Sequence, residues 1–327
     1  MLSSFLDLDV PNDTLTPELL ANLLDSGYNW FGVGKTVDID EFTFTNANNS
    51  KKSKKDRHDM KSSFIASLEP INRDFKQLIE DAVTLRLFPN PLNDPETKPV
   101  RIFTRLNLKF SSTDNIGLFY REFEKTLTEF DILCLIPSTT KTLSYCLDSA
   151  PCLDLISLED MNPIDIFVSP KDFNTLSKKG LHFEVKTGKL FRSPSEASSA
   201  RSYLASMFTQ LSSRCRSALT KHIIVSSGAI EPWEIKRPVG LVSLLSTLGL
   251  EPLSKIKDCF SSNPHATIYH GLSRRHSVHG AAILLKQLEN KEILSAEIVP
   301  QEPASSTKRK SDSPLNESEK KKIKTTE

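Results

Sequence analysis

The stretch Lys221-His222-Ile223-Ile224-Val225-Ser226-Ser227-Gly228-Ala229, followed by Glu234-Ile235-Lys236-Arg237-Pro238 and the apolar run Val239 to Leu250, decides the fold. A β-branched run that stops in small residues reads as a buried strand meeting a turn, and Pro238 ahead of a periodic Val/Leu segment reads as a first helical turn. Strand, turn and helix make one β/α unit with a cation pair at its rim. In a barrel of such units the loops after the strands carry the binding chemistry, which puts Lys236 and Arg237 where a phosphate is held. A Lys-Arg pair on its own is also what an ordinary solvated rim looks like.

Working outward, the same alternation recurs. Phe130 to Ser138, Lys141 to Ala150 and Leu153 to Leu158 read as strand, helix and strand. Near the start, Phe5-Leu6-Asp7-Leu8-Asp9-Val10 alternates apolar and acidic residues as a barrel strand does, and Thr16-Pro17-Glu18 caps a helix that Gly27 ends. Strands follow at Trp30 to Ile39 and Val100 to Phe110, with helical periodicity over 64–88 and Asn115 to Thr128. Further on come a short strand at Ile164 to Val168, a strand at Leu181 to Val185, and a long helix from Ser193 to Leu219. Beyond the opening unit lie a helix from Pro252 to Phe260 and a last strand, Ala266 to Tyr269. Such repetition predicts an α/β protein, a TIM-like (β/α) barrel over residues 1–275 built from about eight units.

At 327 residues and 38% apolar content the chain can bury a sizeable core. No apolar run approaches a membrane span, and Met1-Leu2-Ser3-Ser4-Phe5 lacks the blocks of a signal peptide, so a soluble intracellular protein with no membrane partner is expected. Cys134, Cys146, Cys152, Cys215 and Cys259 form no Cys-x-x-Cys pair, lie mostly within apolar patterns and read as buried reduced thiols. The net charge of +1 is unevenly distributed: Lys51 to Lys61 carries +4 and residues 300–327 carry +2, leaving the rest near −5. A folded body of that sign meets RNA only through local Lys/Arg clusters, or else meets proteins. Residues 45–63 read as a disordered basic insertion, 276–299 as a helical C-terminal extension and 300–327 as a disordered basic tail. Within the tail, Lys308-Arg309-Lys310 and Lys320-Lys321-Lys322-Ile323-Lys324 are spaced as a bipartite nuclear import signal.

Several chemistries are weakly supported. Gly32-Val33-Gly34-Lys35-Thr36 is not a phosphate loop, because Asn29 stands where the first glycine is needed and the sequence that follows is strand-like. Ser226 and Ser227 lack the flanking glycines of a nucleophile elbow. His276 and His279 share a helical face but have no third ligand nearby, so no catalytic or metal residues are assigned. The remaining candidates are cations suited to RNA phosphates: Arg201, Lys236, Arg237, Arg274 and Arg275.

The β/α unit at 130–160, the Ser-Ser-Gly-Ala turn, the Glu-Ile-Lys-Arg-Pro rim and His270-Gly271 resemble, in order and spacing, the thirty-kilodalton protein subunit family of nuclear and archaeal ribonuclease P. The resemblance covers residues 1–275 and is strongest over 130–160 and 181–271. It implies a non-catalytic subunit supporting RNA-catalysed 5′ maturation of precursor tRNA, with magnesium on the RNA and no cofactor on this chain. Implied partners are the ribonuclease P RNA, other protein subunits including a small α/β one, and the related ribosomal RNA-processing ribonucleoprotein, in the nucleus and nucleolus. The family also resembles metal-dependent phosphoesterases whose first strand carries His-x-His; here that place reads Asp7-Leu8-Asp9. Carboxylates can bind a hard cation, but the change from imidazole to carboxylate loses the nitrogen ligands that suit zinc. Two alternatives therefore stand: a phosphoesterase using Asp7 and Asp9, or a nuclear scaffold that touches only proteins.

Overall fold

The computed structural model describes residues 5–41, 75–87, 99–150, 152–215 and 218–276. Seven strands, β1 (Phe5–Pro11), β2 (Tyr28–Asp38), β3 (Arg101–Phe110), β4 (Ile132–Pro137), β5 (Leu155–Ser157), β6 (His182–Lys186) and β7 (Ile223–Ser226), pair in chain order. Every ladder is parallel, with Gly34 opposite Arg105, Asn107 opposite Cys134, and Leu155 opposite His182. The helices are α1 (Pro17–Ser26), α2 (Phe75–Thr84), α3 (Thr113–Thr128), α4 (Thr140–Asp148), α5 (Pro170–Lys179), α6 (Pro194–Ser212), α7 (Pro238–Thr247), α8 (Leu253–Ile256) and α9 (Ser262–His276). The result is a nearly closed α/β barrel of the TIM type.

Period-two alternation sorts most strand residues, but β1 departs from it. Its register against β2 shifts between Asp7 and Val10, so that Asp7, opposite Phe31, and Val10, opposite Val33, lie on the α1 side. Leu6, Asp7, Leu8, Asp9 and Val10 are all buried. Val10 packs beneath α1, where it forms one cluster with Leu19, Leu20, Leu23, Leu24, Tyr28, Ala229 and Ile235. Thr16 caps α1 by accepting from the Leu19 N–H at 3.2 Å, and Pro17 opens the first turn. A larger cluster under the other helices includes Leu106, Phe119, Leu135, Phe183, Phe208 and Leu245.

Among the described residues the barrel has seven strands, and the seam between β7 and β1 is sealed in another way. The loop after β7 donates from Ser227 N–H to Asp7 Oδ1 at 2.9 Å and from Gly228 N–H to Asp9 O at 3.0 Å. Gly228 makes this turn with φ +56°, a conformation L side chains rarely adopt. The same loop buries Ala229 and Ile235 against α1, and Lys236 O accepts from Tyr28 Oη at 3.1 Å.

Two expected strands are therefore corrected. Ala266 to Tyr269 lies inside α9, where Ile268 and Leu272 are buried one turn apart. Four apolar-leaning residues fit either period, and packing across the base of the barrel selects the helix. At 164–168 a short 3-10 helix, Pro163–Asp165, leads into an extended segment that buries Ile166 and Val168 and joins no ladder of the sheet. The long helix ends at Ser212 rather than Leu219, and Leu219–Lys221 forms a separate 3-10 turn. The insertion at 45–63, the tail at 300–327 with its import signal, and the extension at 276–299 apart from His276 lie outside the described residues.

The seat of α9 yields a test. A methyl group on Gly271 would stand 2.0 Å from the Asp131 carbonyl oxygen, so Gly271→Ala must push α9 off the barrel base. Overpacking of this kind costs about 1–3 kcal/mol. Urea unfolding should show that loss, whereas an unchanged midpoint would mean that α9 is not seated on Asp131.

Candidate nucleic-acid interface and the charged barrel lumen

The barrel lumen holds a cluster of polar side chains: Asp9 from β1, Arg105 and Asn107 from β3, Glu184 and Lys186 from β6, and Ser226 from β7, with Asp7 beside it at the β7–β1 seam. Arg105, whose side chain is 0% exposed, donates from both terminal nitrogens to Glu184 at 2.5 Å each. It also donates to Asn107 Oδ1 at 2.6 Å and to Leu8 O at 2.8 Å, and its Nε lies 3.4 Å from Asp9 Oδ1. Lys186 Nζ bridges Asp9 Oδ2 at 2.7 Å and Glu159 Oε1 at 2.6 Å, and Ser226 Oγ donates to Glu184 Oε1 at 2.6 Å.

The electrostatics follow from this geometry. Burial works to raise the Asp9 pKa, but Arg105 and then Lys186 outweigh it and hold the carboxyl at about 2. Burial likewise works to lower the Lys186 pKa, and attraction to Asp9 and Glu159 raises it instead. Asp7 has no such cation. Burial lifts it to about 6, although hydrogen bonds from Ser227 and Asp9 oppose the rise. Its Oδ2 has no hydrogen-bond partner among the described residues.

Asp7 and Asp9 do not fit a resident divalent cation. Such a cation needs several open oxygen ligands. Both Asp9 oxygens already face a side-chain cation, Asp7 has one oxygen taken by the Ser227 N–H, and added positive charge would be repelled by Arg105 and Lys186. Among the described residues no group of three or more His, Cys, Asp or Glu side chains is arranged to hold a metal.

Beside the lumen, two loops are locked together. Arg192, from the β6–α6 loop, donates to Glu234 Oε1 at 2.6 Å and Oε2 at 3.1 Å, and also to Gly228 O at 3.3 Å. Glu234 is buried and its Oε2 also accepts from the Ile230 N–H at 2.9 Å. The segment 230–237 therefore has a fixed backbone, from which Lys236 and Arg237 are exposed. The Lys236 ammonium lies 5.0 Å from the centroid of the Phe191 ring.

The other expected cations lie elsewhere. Arg201 is exposed on α6. Arg274 and Arg275 sit on α9 at the N-terminal ends of β4 and β5. Arg274 donates to Asp154 Oδ2 at 2.9 Å and to Phe130 O at 2.9 Å, while His270 Nδ1 is 2.7 Å from Asp154 Oδ1. Arg275 pairs with Asp131. This pair thus latches α9 to the barrel. Sequence reasoning missed Arg105, Asn107, Glu184, Lys186, Arg192 and Glu234. The available signal was a charged residue in the middle of an otherwise apolar strand, as in Phe183-Glu184-Val185. The five cysteines form no disulfide; Cys134, Cys146 and Cys259 are buried as expected, whereas Cys152 and Cys215 are only half-buried. No helix among the described residues is long and apolar enough to cross a membrane.

Fold and lumen define the class: a parallel α/β barrel whose polar interior is a set of internal ion pairs. Residues 4–276 match the family described as RNase P subunit p30, and the chain belongs to that family. It is 24% identical over 185 residues to the mouse (Mus musculus) ribonuclease P protein subunit p30, covering 57% of this chain and 65% of that protein. It is 22% identical over 178 residues to the ribonuclease P protein subunit drpp30 of Dictyostelium discoideum, covering 54% and 45%. The chain thus spans under two thirds of the length of either curated relative. A chain in the cryo-EM structure of archaeal ribonuclease P with mature tRNA superposes with a TM-score of 0.47 at 14% identity, covering 86% of this chain and 97% of that one.

The Asp7 environment makes a pH-dependent prediction. Its folded pKa of about 6 lies above the ordinary 3.8, so the stability due to its neutral form is complete below about pH 4 and is lost as pH rises through 6. Asp7→Asn keeps an acceptor for Ser227 and cannot ionise. It should stabilise the fold by about 3 kcal/mol at pH 8 and by little at pH 4. Urea unfolding at the two pH values checks this; equal effects at both would show that Asp7 does not titrate in the folded barrel.

Proposed function

We propose that this chain is a non-catalytic protein subunit of nuclear ribonuclease P, bracing the RNA that carries out 5′ maturation of precursor tRNA. The observation that carries the reading is the family match over residues 4–276. The charged lumen supports the non-catalytic part. Asp9 and Glu184 face Arg105 and Lys186, so in this proposal hydrolytic magnesium resides on the RNA. Partners in this reading are the ribonuclease P RNA and neighbouring protein subunits, including a small α/β one. The proposal extends to the related ribosomal RNA-processing ribonucleoprotein and to nuclear and nucleolar residence, for which the basic clusters at 308–310 and 320–324 are the support.

For RNA contact we favour Arg201, Lys236 and Arg237, because they are exposed, whereas Arg274 and Arg275 bind internal carboxylates. A cation on a locked loop loses less freedom on meeting phosphate than one on a free tail, and charge-assisted contacts are the stronger kind.

Purification of the tagged chain from its own cells, with sequencing of the bound RNA, tests the assignment. Ribonuclease P RNA should be recovered, and depletion should leave 5′-extended precursor tRNA. Metal-dependent phosphoester turnover by the pure chain, abolished by Asp7→Ala, would overturn it in favour of the phosphoesterase; recovery of proteins without RNA would favour the scaffold. Changing Lys236 and Arg237 together to Ala should weaken assembly with the RNA by about 1–3 kcal/mol. The loss should shrink as salt rises, with the melting temperature unchanged. Equal affinities would make the pair a solvated rim.

A further inference from the structure

The locked segment 230–237 also carries Trp233, in a short 3-10 helix, Pro232–Glu234, with the indole 60% exposed. Its neighbours in that helical turn point the other way: Glu234 is buried on Arg192, and Ile235 packs beneath α1. The outward course of Trp233 is therefore set by the clamp and not by loose chain. The other tryptophan is employed differently. Trp30 stacks near Phe103 at 5.6 Å and His265 at 4.8 Å, and the Arg101 guanidinium covers it at 4.6 Å.

Single exposed aliphatic residues, such as Ile230 and Val239 on the same segment, are ordinary. An indole held open on a fixed backbone, within four residues of two exposed cations, is not. The outward charges here are Glu231, Lys236 and Arg237, a net positive face, since Arg192 neutralises Glu234. Two exposed cations three and four residues along the same fixed segment from an open indole match single-stranded nucleic acid, whose phosphates meet cations while a base stacks on an aromatic ring.

We infer that Trp233 is a stacking platform for an unpaired base of RNA whose backbone Lys236 and Arg237 hold. This rests on the ribonuclease P reading for the identity of the RNA, and on the loop geometry for the contact itself. The clamp supplies preorganisation: Arg192 and Glu234 position the platform without touching the RNA.

The test uses the full chain with Trp30→Phe as background, so that emission reports Trp233. A single-stranded oligoadenylate of about twelve nucleotides should quench that emission by about half, and Trp233→Ala should weaken its binding about tenfold, in line with stacking on one base. Trp233→Phe should restore affinity to within about threefold, which a contact through the indole N–H would not do. An RNA duplex of the same length, its bases already stacked, should bind wild type and Trp233→Ala equally. Unquenched emission with equal oligoadenylate affinities would overturn the proposal. So would a Trp233→Ala chain that keeps its RNA affinity but no longer recovers neighbouring protein subunits from cells, since the indole would then be a protein anchor. Thermal melts of each variant separate loss of fold from loss of contact. Should wild type recover no ribonuclease P RNA from cells and yet show the quench, the ribonuclease P reading fails while the platform stands.

Discussion

The pairing of Arg105 with Glu184 across the lumen is the constraint on which the rest depends. It joins β3 to β6 through a fully buried guanidinium, and the same side chain reaches Leu8 O and Asp9 on β1. Three strands from distant parts of the chain thus converge on one cation. A buried pair need not stabilise more than well-packed apolar residues, but loss of one partner leaves an uncompensated charge and costs about 3–5 kcal/mol. The network therefore imposes a particular barrel, with β1, β3 and β6 in one register around it.

The same interaction determines what the barrel can do. In an α/β barrel the strand ends and the loops that follow are where ligands and metals are usually held. Here Lys186 and Arg105 supply the positive charge that a metal would otherwise bring, and Asp9 of β1 is committed to them. Binding chemistry is left to the outside, where the Arg192–Glu234 clamp holds a loop that closes the barrel seam and carries exposed cations. A rigid body with a neutralised interior and a few fixed outward cations suits a protein that braces a folded RNA.

Much of the barrel was legible because parallel strands buried on both faces are continuous apolar runs, as in Ile132 to Ile136 and Ile223 to Val225. The base of the barrel was not. Ala266 to Tyr269 has no local feature separating strand from helix, and only the close approach of Gly271 to Asp131 shows why a helix lies there. The ion pairs were hidden for a related reason: Arg105 and Glu184 are 79 residues apart, and nothing local tells a lumen-facing charge from a solvated one. Lys236 and Arg237 were visible as a pair, but the clamp that fixes them joins Arg192 to a glutamate 42 residues on. Arg274 and Arg275 read equally well as phosphate ligands until Asp154 and Asp131 are seen beneath them.

A double-mutant cycle on Arg105 and Glu184 tests the central claim most directly. Arg105→Met and Glu184→Leu should each destabilise the fold by about 3–5 kcal/mol in urea unfolding, because each leaves a buried charge unpaired. The double variant, with Asp9 still paired to Lys186, should recover much of that loss, giving a coupling energy of about 2 kcal/mol or more. Additive effects, with the double variant losing the sum of the two singles, would contradict the account and mean that the two side chains do not act as one pair in the barrel.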